Sequence, residues 1–224
     1  MQREGCAMNK VTIEFFHDVI CSFCFPMSYR MRQLQKMMPD VQIVHRSYAL
    51  IKTESDFDAM FGSRAAAKAE IMSHWEHANQ NDDLHRFNIS GMKETEFPFP
   101  ASMKPLIACK AAYFAAGDAG YWDVFDALQN ALFVQNCNIE DQTVIDDCIR
   151  ASGIDFEKWE QHYSNDATKE AVEKDFHLAR QYGIWGIPCL VVDGKYLISG
   201  ARSLEQIVQA IGSAGESYTR IPQL

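Results

Sequence analysis

The chain has 224 residues, of which 47% are hydrophobic and 23% are charged, with 12 glycines and 7 prolines. These values are ordinary for a globular protein and exclude global disorder or a collagen-like structure. The formal net charge of -9 disfavours nucleic acid or an anionic membrane as the main partner, because both bind clustered positive charge. At about 150 residues per domain, the length predicts one large domain or one domain with an insertion.

The sequence offers no segment for membrane insertion or export. No apolar run approaches the roughly 20 residues that cross a bilayer, and Met1 to Lys10 lack the apolar segment of a secretory signal. We therefore expect a soluble, cytoplasmic protein. In a reducing cytoplasm the seven irregularly spaced cysteines are not expected to form a disulfide framework, and a close pair among them indicates redox or metal chemistry.

The first 52 residues read as strand, helix, strand. β-Branched and aromatic residues predict strands at Val11–Phe16 and Val41–Ala49, and apolar residues at helical spacing predict a helix over Cys21–Met38. Two strands joined by such a crossover are expected to be parallel, with a right-handed connection.

The middle of the chain is predicted to be helical, and the C-terminal part returns to mixed structure. Between about Thr53 and Asn165, amphipathic helices are predicted at Ser63–Asn79, Ser102–Ala116, Gly120–Phe133, Ile139–Ala151 and Phe156–Tyr163, with a loop at Asp82–Pro100. The later elements are predicted as a helix over Ala167–Tyr182, strands Leu190–Val192 and Lys195–Ser199 around an Asp193-Gly194 turn, a helix over Ser203–Ile211, and a frayed tail over Gly212–Leu224.

The pair Cys21-Ser22-Phe23-Cys24 carries the clearest chemical signal. It follows a strand and opens a helix, where free N–H groups and the helix dipole favour the thiolate, which is the attacking form. The second thiol, one turn later, is placed to resolve a mixed disulfide. A chance pair of helix cysteines and half of a zinc site are the alternatives, although zinc needs a second close pair that Cys137 and Cys148 do not supply.

A second motif lies far along the chain, where Gly186-Ile187-Pro188 precedes an apolar strand and the Asp193-Gly194 turn. Together with the Cys21 pair, the element order and the Ile198–Arg202 segment, it resembles the thioredoxin superfamily over residues 11 to 211. The helical insertion resembles the DsbA-like branch, close to the cytosolic group of polyketide-associated and 2-hydroxychromene-2-carboxylate isomerase-like proteins. The resemblance implies an α/β thioredoxin-like fold, formed by residues 1–52 and 165–224, with an all-helical insertion at 53–164.

The resemblance also implies the site residues. Cys21 would be the nucleophile and Cys24 the buried resolving thiol, and Ile187-Pro188 would be a cis peptide that faces both and binds an extended substrate peptide. Ser22, Phe23, Ile187 and Trp185 are the expected substrate contacts. Ser22-Phe23 lacks the proline and histidine that strongly oxidising members carry, which predicts a moderate redox potential.

Four further residues are candidates for tuning the thiols. Glu14 lies in the first strand, where a buried acid needs a partner or a role in proton relay, and a structural ion pair is the alternative. His17 and Asp18 occupy the turn before Cys21, where the Asp18 carboxylate would oppose the effect of the dipole, and an ordinary turn role is the alternative. Cys189 directly follows the proline and is either a third sulfur near the pair or a small buried strand residue.

These observations predict a thiol-disulfide oxidoreductase that acts on protein or small-molecule thiols and disulfides. Exchange between thiols and disulfides would require no cofactor. No metal site is expected at His74 and His77, because they lack the H-E-x-x-H order of helical zinc ligands. Glutathione or a thioredoxin system would recycle it, and neither nucleic acid nor membrane is an expected partner. Two other functions stay open: a glutathione-dependent isomerase or transferase, whose relatives carry serine at the position of Cys21, and a non-enzymatic protein-binding adaptor.

Overall fold

A five-stranded mixed sheet organises the chain, and the computed structural model describes residues 11–212 and 219–221. The strand order is β2-β1-β3-β4-β5, in which only the β1–β2 pair is parallel. The elements are β1 (Val11–His17), α1 (Cys24–Met37), β2 (Val41–Ser47), α2 (Glu54–Phe61), α3 (Arg64–Asn81), α4 (Ile89–Glu94), α5 (Met103–Phe133), α6 (Gln142–Ala151), α7 (Phe156–Tyr163), α8 (Asp166–Gln181), β3 (Cys189–Val192), β4 (Tyr196–Ser199), α9 (Leu204–Gly212) and β5 (Thr219–Arg220).

The predicted order of elements is confirmed, including the parallel β1–β2 pair, with local differences. Helices α2 and α4 were not predicted, and α4 lies inside the expected loop over 82–100. The two helices predicted at Ser102–Ala116 and Gly120–Phe133 are the two halves of α5, which are separated at Gly117 by a non-helical conformation (φ 70°, ψ -159°) that glycine adopts without steric cost. The turn between β3 and β4 has positive φ at both Asp193 and Gly194, as a type I′ turn requires.

The two faces of the sheet bury separate sets of side chains. On β1, Ile13 and Phe15 belong to the main core with α1 and the helices between β2 and α8, whereas Phe16 packs on the other face with Ile184 and Val191. Successive strand residues point to opposite faces, so this alternation decides which β1 side chains lie on the α1 side. The division of the chain at residues 52/53 and 164/165 stays a prediction.

The C-terminal tail is not entirely frayed. Thr219 and Arg220 form β5, because they pair with Leu197 and Tyr196 at the edge of the sheet, so the prediction is wrong for these two residues. Positions 213–218 and 222–224 of the tail, and residues 1–10 on which the signal prediction falls, lie outside the described residues. Across the described chain, no helix combines the length and apolar character needed to cross a membrane.

Two histidines are buried together beside the sheet. His17 Nε2 and His45 Nδ1 are 3.0 Å apart, and the two rings pack against Tyr121 and Phe125. His17 Nδ1 and His45 Nε2 have no hydrogen-bond partner among the described residues. Burial lowers the pKa of both imidazoles well below the usual value, with a smaller contribution from the nearby Lys110 charge. Both are therefore neutral in the folded protein at neutral pH.

We expect this pair to make folding stability fall with acid. Below the unfolded-state pKa of about 6.5 each histidine binds a proton on unfolding, at up to about 1.4 kcal/mol per pH unit per group. Asp18 has the opposite effect on stability between about pH 6 and pH 4. Burial raises its pKa to about 6, so in this range the folded protein binds a proton that the unfolded chain does not. Chemical denaturation at pH values between about 7 and 5 should thus show a net loss of unfolding free energy.

The double variant His17→Leu and His45→Leu removes both titrating partners together and should not lose stability over that range. His77→Gln, at an exposed position, is the matched control and should keep the wild-type pH profile. An unfolding free energy in the wild type that is independent of pH between about 7 and 5 would contradict the assignment.

Candidate active site

The Cys21 pair lies in a tight turn that leads into α1. The Cys21 N–H donates to the Asp18 carbonyl at 3.3 Å, and the Cys24 N–H donates to the Cys21 carbonyl at 3.0 Å. These short-range bonds close a turn over residues 21–23, so α1 begins at Cys24 and not at Cys21 as predicted. Cys21 therefore lies in the turn three residues before the helix, and Cys24 is the first residue of the helix.

Pairing between β1 and β3 brings the two ends of the chain together at this turn. Phe16 of β1 lies opposite Cys189, the first residue of β3, so the residues that follow β1 lie near those that precede β3. Cys21 Sγ is 3.9 Å from the Ile187 carbonyl oxygen, and the Ile187–Pro188 peptide is cis. The two motifs thus form one site, although 166 residues separate Cys21 from Ile187.

The two thiols differ in their surroundings. Cys24 is fully buried and Cys21 is 4% exposed, and both are free. Burial raises the pKa of Cys24 well above its usual value, and the neighbouring Cys21 thiol raises it further. Asp18 acts in both directions, because a hydrogen bond with its backbone lowers this pKa and its carboxylate charge raises it. Cys24 consequently keeps its proton at neutral pH unless a nearby group takes it.

Asp18 is the buried carboxylate that acts on Cys24. Its oxygens accept hydrogen bonds from Ser102 Oγ at 2.6 Å, the Leu50 N–H at 2.8 Å and the Ile20 N–H at 3.4 Å. Burial raises the pKa of Asp18 to about 6, while these donors act in the opposite direction. The carboxylate thus joins the turn before Cys21 to the segment after β2 and to the start of α5.

Glu14 is engaged in an ion pair and a hydrogen bond, whereas a proton relay to Cys24 would need a carboxylate that faces this thiol. Its carboxylate forms an ion pair with Arg46 at 2.7 Å and accepts a hydrogen bond from Tyr182 Oη at 2.9 Å. Glu14 alternates with Ile13 and Phe15, so it points to the face of the sheet opposite α1. This placement agrees with the structural ion pair, and the acid near the second cysteine is Asp18.

The other candidates are dispersed around the turn. His17 pairs with His45 in the core, and Cys189 packs with Phe16 on the face opposite α1, where burial raises the pKa of its thiol to about 12. Trp185 is 84% exposed on the loop before Ile187. Within residues 11–212 and 219–221 no group of three or more His, Cys, Asp or Glu side chains is arranged to hold a metal ion.

A cavity of 410 Å³ opens beside Cys21, between the turn and the helical insertion. This volume falls within the range of sites that bind small molecules or side chains. The turn and the Ile187 loop contribute Ile20, Cys21, Ser22, Phe23 and Ile187. The rest of the lining comes from Leu50, Ile51, Met60, Phe61, Glu70, Ile71, His74, Trp75 and Phe99.

Sequence reasoning did not find the helical half of this cavity. His74 and Glu70 are exposed on α3, and both also line the cavity. Residues 70, 71, 74 and 75 do recur at helical spacing, but this pattern alone cannot distinguish a face that lines a site from one that packs in the core.

Comparisons with known proteins agree with this architecture. The family model for a DSBA-like thioredoxin domain matches residues 12–212. The thiol:disulfide interchange protein DsbA of Pseudomonas aeruginosa is 32% identical over 74 residues, a stretch that covers 33% of this chain and only 35% of that protein. The α/β thioredoxin-like fold with inserted helices is thereby confirmed.

Solved structures extend the likeness in fold to nearly the whole chain. A putative protein disulfide isomerase from Nitrosomonas europaea has a TM-score of 0.75 at 16% identity, and the match covers 92% of this chain and 97% of that one. The cytosolic disulfide reductase DsbM from Pseudomonas aeruginosa has a TM-score of 0.67 at 14% identity, with coverages of 90% and 92%. At these identities the likeness concerns the fold alone.

The Ser102 hydroxyl should hold the Asp18 carboxylate in its ionised form. Removing it in Ser102→Ala takes away a donor that lowers the pKa of Asp18, so this pKa should rise above 6, and folding stability should fall by about 1.5–3 kcal/mol. Carboxyl-carbon NMR titration and denaturant unfolding measure the two effects. The control Ser55→Ala, at an exposed hydroxyl, should change neither, and an unchanged Asp18 titration in Ser102→Ala would refute the assignment.

Proposed function

Because the chain belongs to the family of DSBA-like thioredoxin domains, we propose that it is a thiol-disulfide oxidoreductase that exchanges disulfides with protein or small-molecule thiols through Cys21 and Cys24. The observation that carries the proposal is the arrangement of the site: the Cys21 thiol lies against the Ile187 carbonyl, three residues before a helix that begins with a second, buried thiol. A buried carboxylate, Asp18, lies close enough to influence that second thiol.

The exchange takes place in two steps. The Cys21 thiolate attacks one sulfur of a substrate disulfide, so the substrate S–S bond breaks, a mixed disulfide forms and one substrate thiolate leaves. Cys24 then loses its proton and attacks the Cys21 sulfur, which releases the second substrate thiolate and closes the Cys21–Cys24 disulfide. The substrate gains two electrons and two protons, and the protein loses them; the oxidised protein runs the same steps in reverse.

Asp18 is suited to accept the proton of Cys24 in the second step. With a pKa of about 6 its carboxylate is mainly ionised at neutral pH, whereas Cys24 is held as a thiol. A base whose pKa lies just below the working pH is ionised there and is still basic enough to act in general-base catalysis.

Substrate contacts are proposed along the turn and the Ile187 loop. Ser22 and Phe23 are half-buried and line the cavity together with Ile187. The Ile187 backbone immediately precedes the proline at the start of β3, and we infer that an extended peptide pairs there by strand addition. Trp185, being largely exposed nearby, would supply an aromatic contact to a protein substrate.

The chemistry needs no cofactor, since both electrons pass between sulfur atoms. We propose recycling by glutathione or by a thioredoxin system, and a cytoplasmic location. A glutathione-dependent isomerase is the second candidate, and the cavity beside Cys21 favours it to the extent that such an enzyme must hold a small molecule there. It would not need Cys24, however, and a protein-binding adaptor would need neither thiol.

A redox titration tests the proposal. In glutathione buffers, followed by alkylation and mass spectrometry, Cys21 and Cys24 should interconvert between dithiol and disulfide with a midpoint between about -280 and -150 mV. Cys24→Ser should accumulate a mixed disulfide on Cys21, and Cys21→Ser should abolish exchange. Cysteines that stay unpaired in every buffer would reject the proposal. A complete cycle of disulfide exchange by Cys24→Ser would reject it too, because only the isomerase is expected to function without Cys24.

The role of Asp18 has its own test. Asp18→Asn should slow resolution of the mixed disulfide by about a hundredfold and leave its formation nearly unchanged. In the wild type, resolution should slow as pH falls through about 6, because the carboxylate then becomes protonated. Rapid-mixing kinetics separate the two steps, and a resolution rate that does not depend on pH between about 7 and 5 would rule out the carboxylate as the proton acceptor.

A further inference from the structure

We propose that the cavity beside Cys21 selects disulfides flanked by an apolar side chain and a cationic group, and that Glu70 determines this preference. The proposal rests on the oxidoreductase function and specifies its substrate class. The substrate held in the cavity would be a cysteine-containing peptide segment with an apolar residue and a lysine or arginine near the cysteine. An anionic disulfide such as that of glutathione would be the poorer substrate.

Substrates have restricted access to the Cys21 sulfur. Cys21 is only 4% exposed, and its neighbours in the cavity wall come from the turn, the Ile187 loop and the helical insertion. A substrate sulfur that reaches Cys21 must therefore lie at this cavity, with the groups next to it in contact with the lining. The lining consequently decides which disulfides react fast.

The floor and walls of the cavity are apolar. Phe99 and Trp75 are buried, Ile71 and Phe61 are half-buried, and Met60 is 54% exposed at the mouth. A substrate side chain that covers the exposed parts of Ile71, Phe61 and Met60 removes that apolar surface from water, at a gain of roughly 25 cal/mol per Å². A flexible methionine at the mouth adapts to side chains of different shapes.

Charge at the rim supplies the second criterion. Glu70 is exposed, and no ion pair or side-chain hydrogen bond of its carboxylate is present among the described residues. The lining found within those residues includes His74 but neither lysine nor arginine. A carboxylate without a partner beside an apolar cavity attracts a cation and repels an anion.

The cations nearest in sequence to the lining are Lys52, Arg64 and Lys68, and each contacts another group. Lys68 donates to the carbonyl and the hydroxyl of Thr95. Arg64 donates to the Phe99 carbonyl and forms ion pairs with Glu54 and Glu140. Lys52 pairs with Glu173 at 3.4 Å. Because these side chains are committed elsewhere, they do not offset Glu70, and the carboxylates of glutathione would meet no free cation in this part of the lining. The overall charge of -9 acts in the same direction on approach.

The test compares two synthetic peptides that differ only in charge, Leu-Cys-Lys and Leu-Cys-Glu, each carrying thionitrobenzoate on its cysteine. Release of the coloured thiol by reduced protein is followed at about pH 8, where an ordinary histidine is neutral. Each rate is divided by that of the same peptide with dithiothreitol, which cancels intrinsic reactivity. We expect the lysine peptide to react roughly fivefold faster, and the ratio to approach one in about 1 M salt.

Variants on α3 test whether Glu70 causes the difference in rate between the two peptides. Glu70→Gln should bring the ratio close to one, and Glu70→Lys should invert it. Glu76→Gln, on the same helix but paired with Lys93 and absent from the lining, should keep the wild-type ratio. Exchanging leucine for serine in the lysine peptide should lower the rate several-fold.

Equal rates for the two peptides in the wild type, or a ratio that survives in Glu70→Gln, would overturn the proposed selectivity while leaving the oxidoreductase function intact. Release that persists in Cys21→Ser, or no release from either peptide by the wild type, would instead overturn the oxidoreductase function itself. The two failures are therefore distinguishable within one set of measurements.

Discussion

The buried carboxylate of Asp18 is the interaction on which the site depends. It accepts hydrogen bonds from the turn before Cys21, from the backbone after β2 and from Ser102 at the start of α5. The same group therefore fixes the cysteine turn, attaches it to the helical insertion and acts on the Cys24 thiol. A carboxylate that is fully buried but supplied with several donors keeps a pKa near neutrality, which suits proton exchange with a thiol.

The sheet separates the acids of this region into two roles. Glu14 points away from α1 and is neutralised by Arg46, whose other partner is Asp175. Asp18 follows the end of β1, so it is free of the strand alternation, and its carboxylate binds Leu50 and Ser102 in the segments that pack beside the cysteine turn. Two acidic residues only four positions apart thus have different surroundings, because one is inside the strand and the other just beyond it, and we propose a chemical role for Asp18 alone.

The helical insertion does more than complete the core. Its helices share one core with α1 and β1, and α3 also forms the outer wall of the cavity beside Cys21. The thioredoxin-like part of the chain supplies the sulfurs and the Ile187 backbone, whereas the inserted helices supply most of the remaining lining of the cavity. Under the proposed function, reactivity and selectivity would therefore depend on different segments of the chain.

The sequence by itself predicted the strand–helix–strand opening, the type I′ turn, the cysteine pair and the later Ile187-Pro188 motif, because each depends on spacing between near neighbours or on a distinctive short pattern. It placed the start of α1 three residues too early, since apolar periodicity cannot reveal a turn closed by short-range hydrogen bonds. Only the tertiary structure decided that Glu14 pairs with Arg46, that Asp18 is buried against Ser102, and that Glu70 and His74 line the cavity beside Cys21. Those facts depend on which segments distant in sequence pack together, and packing is a property of the whole chain.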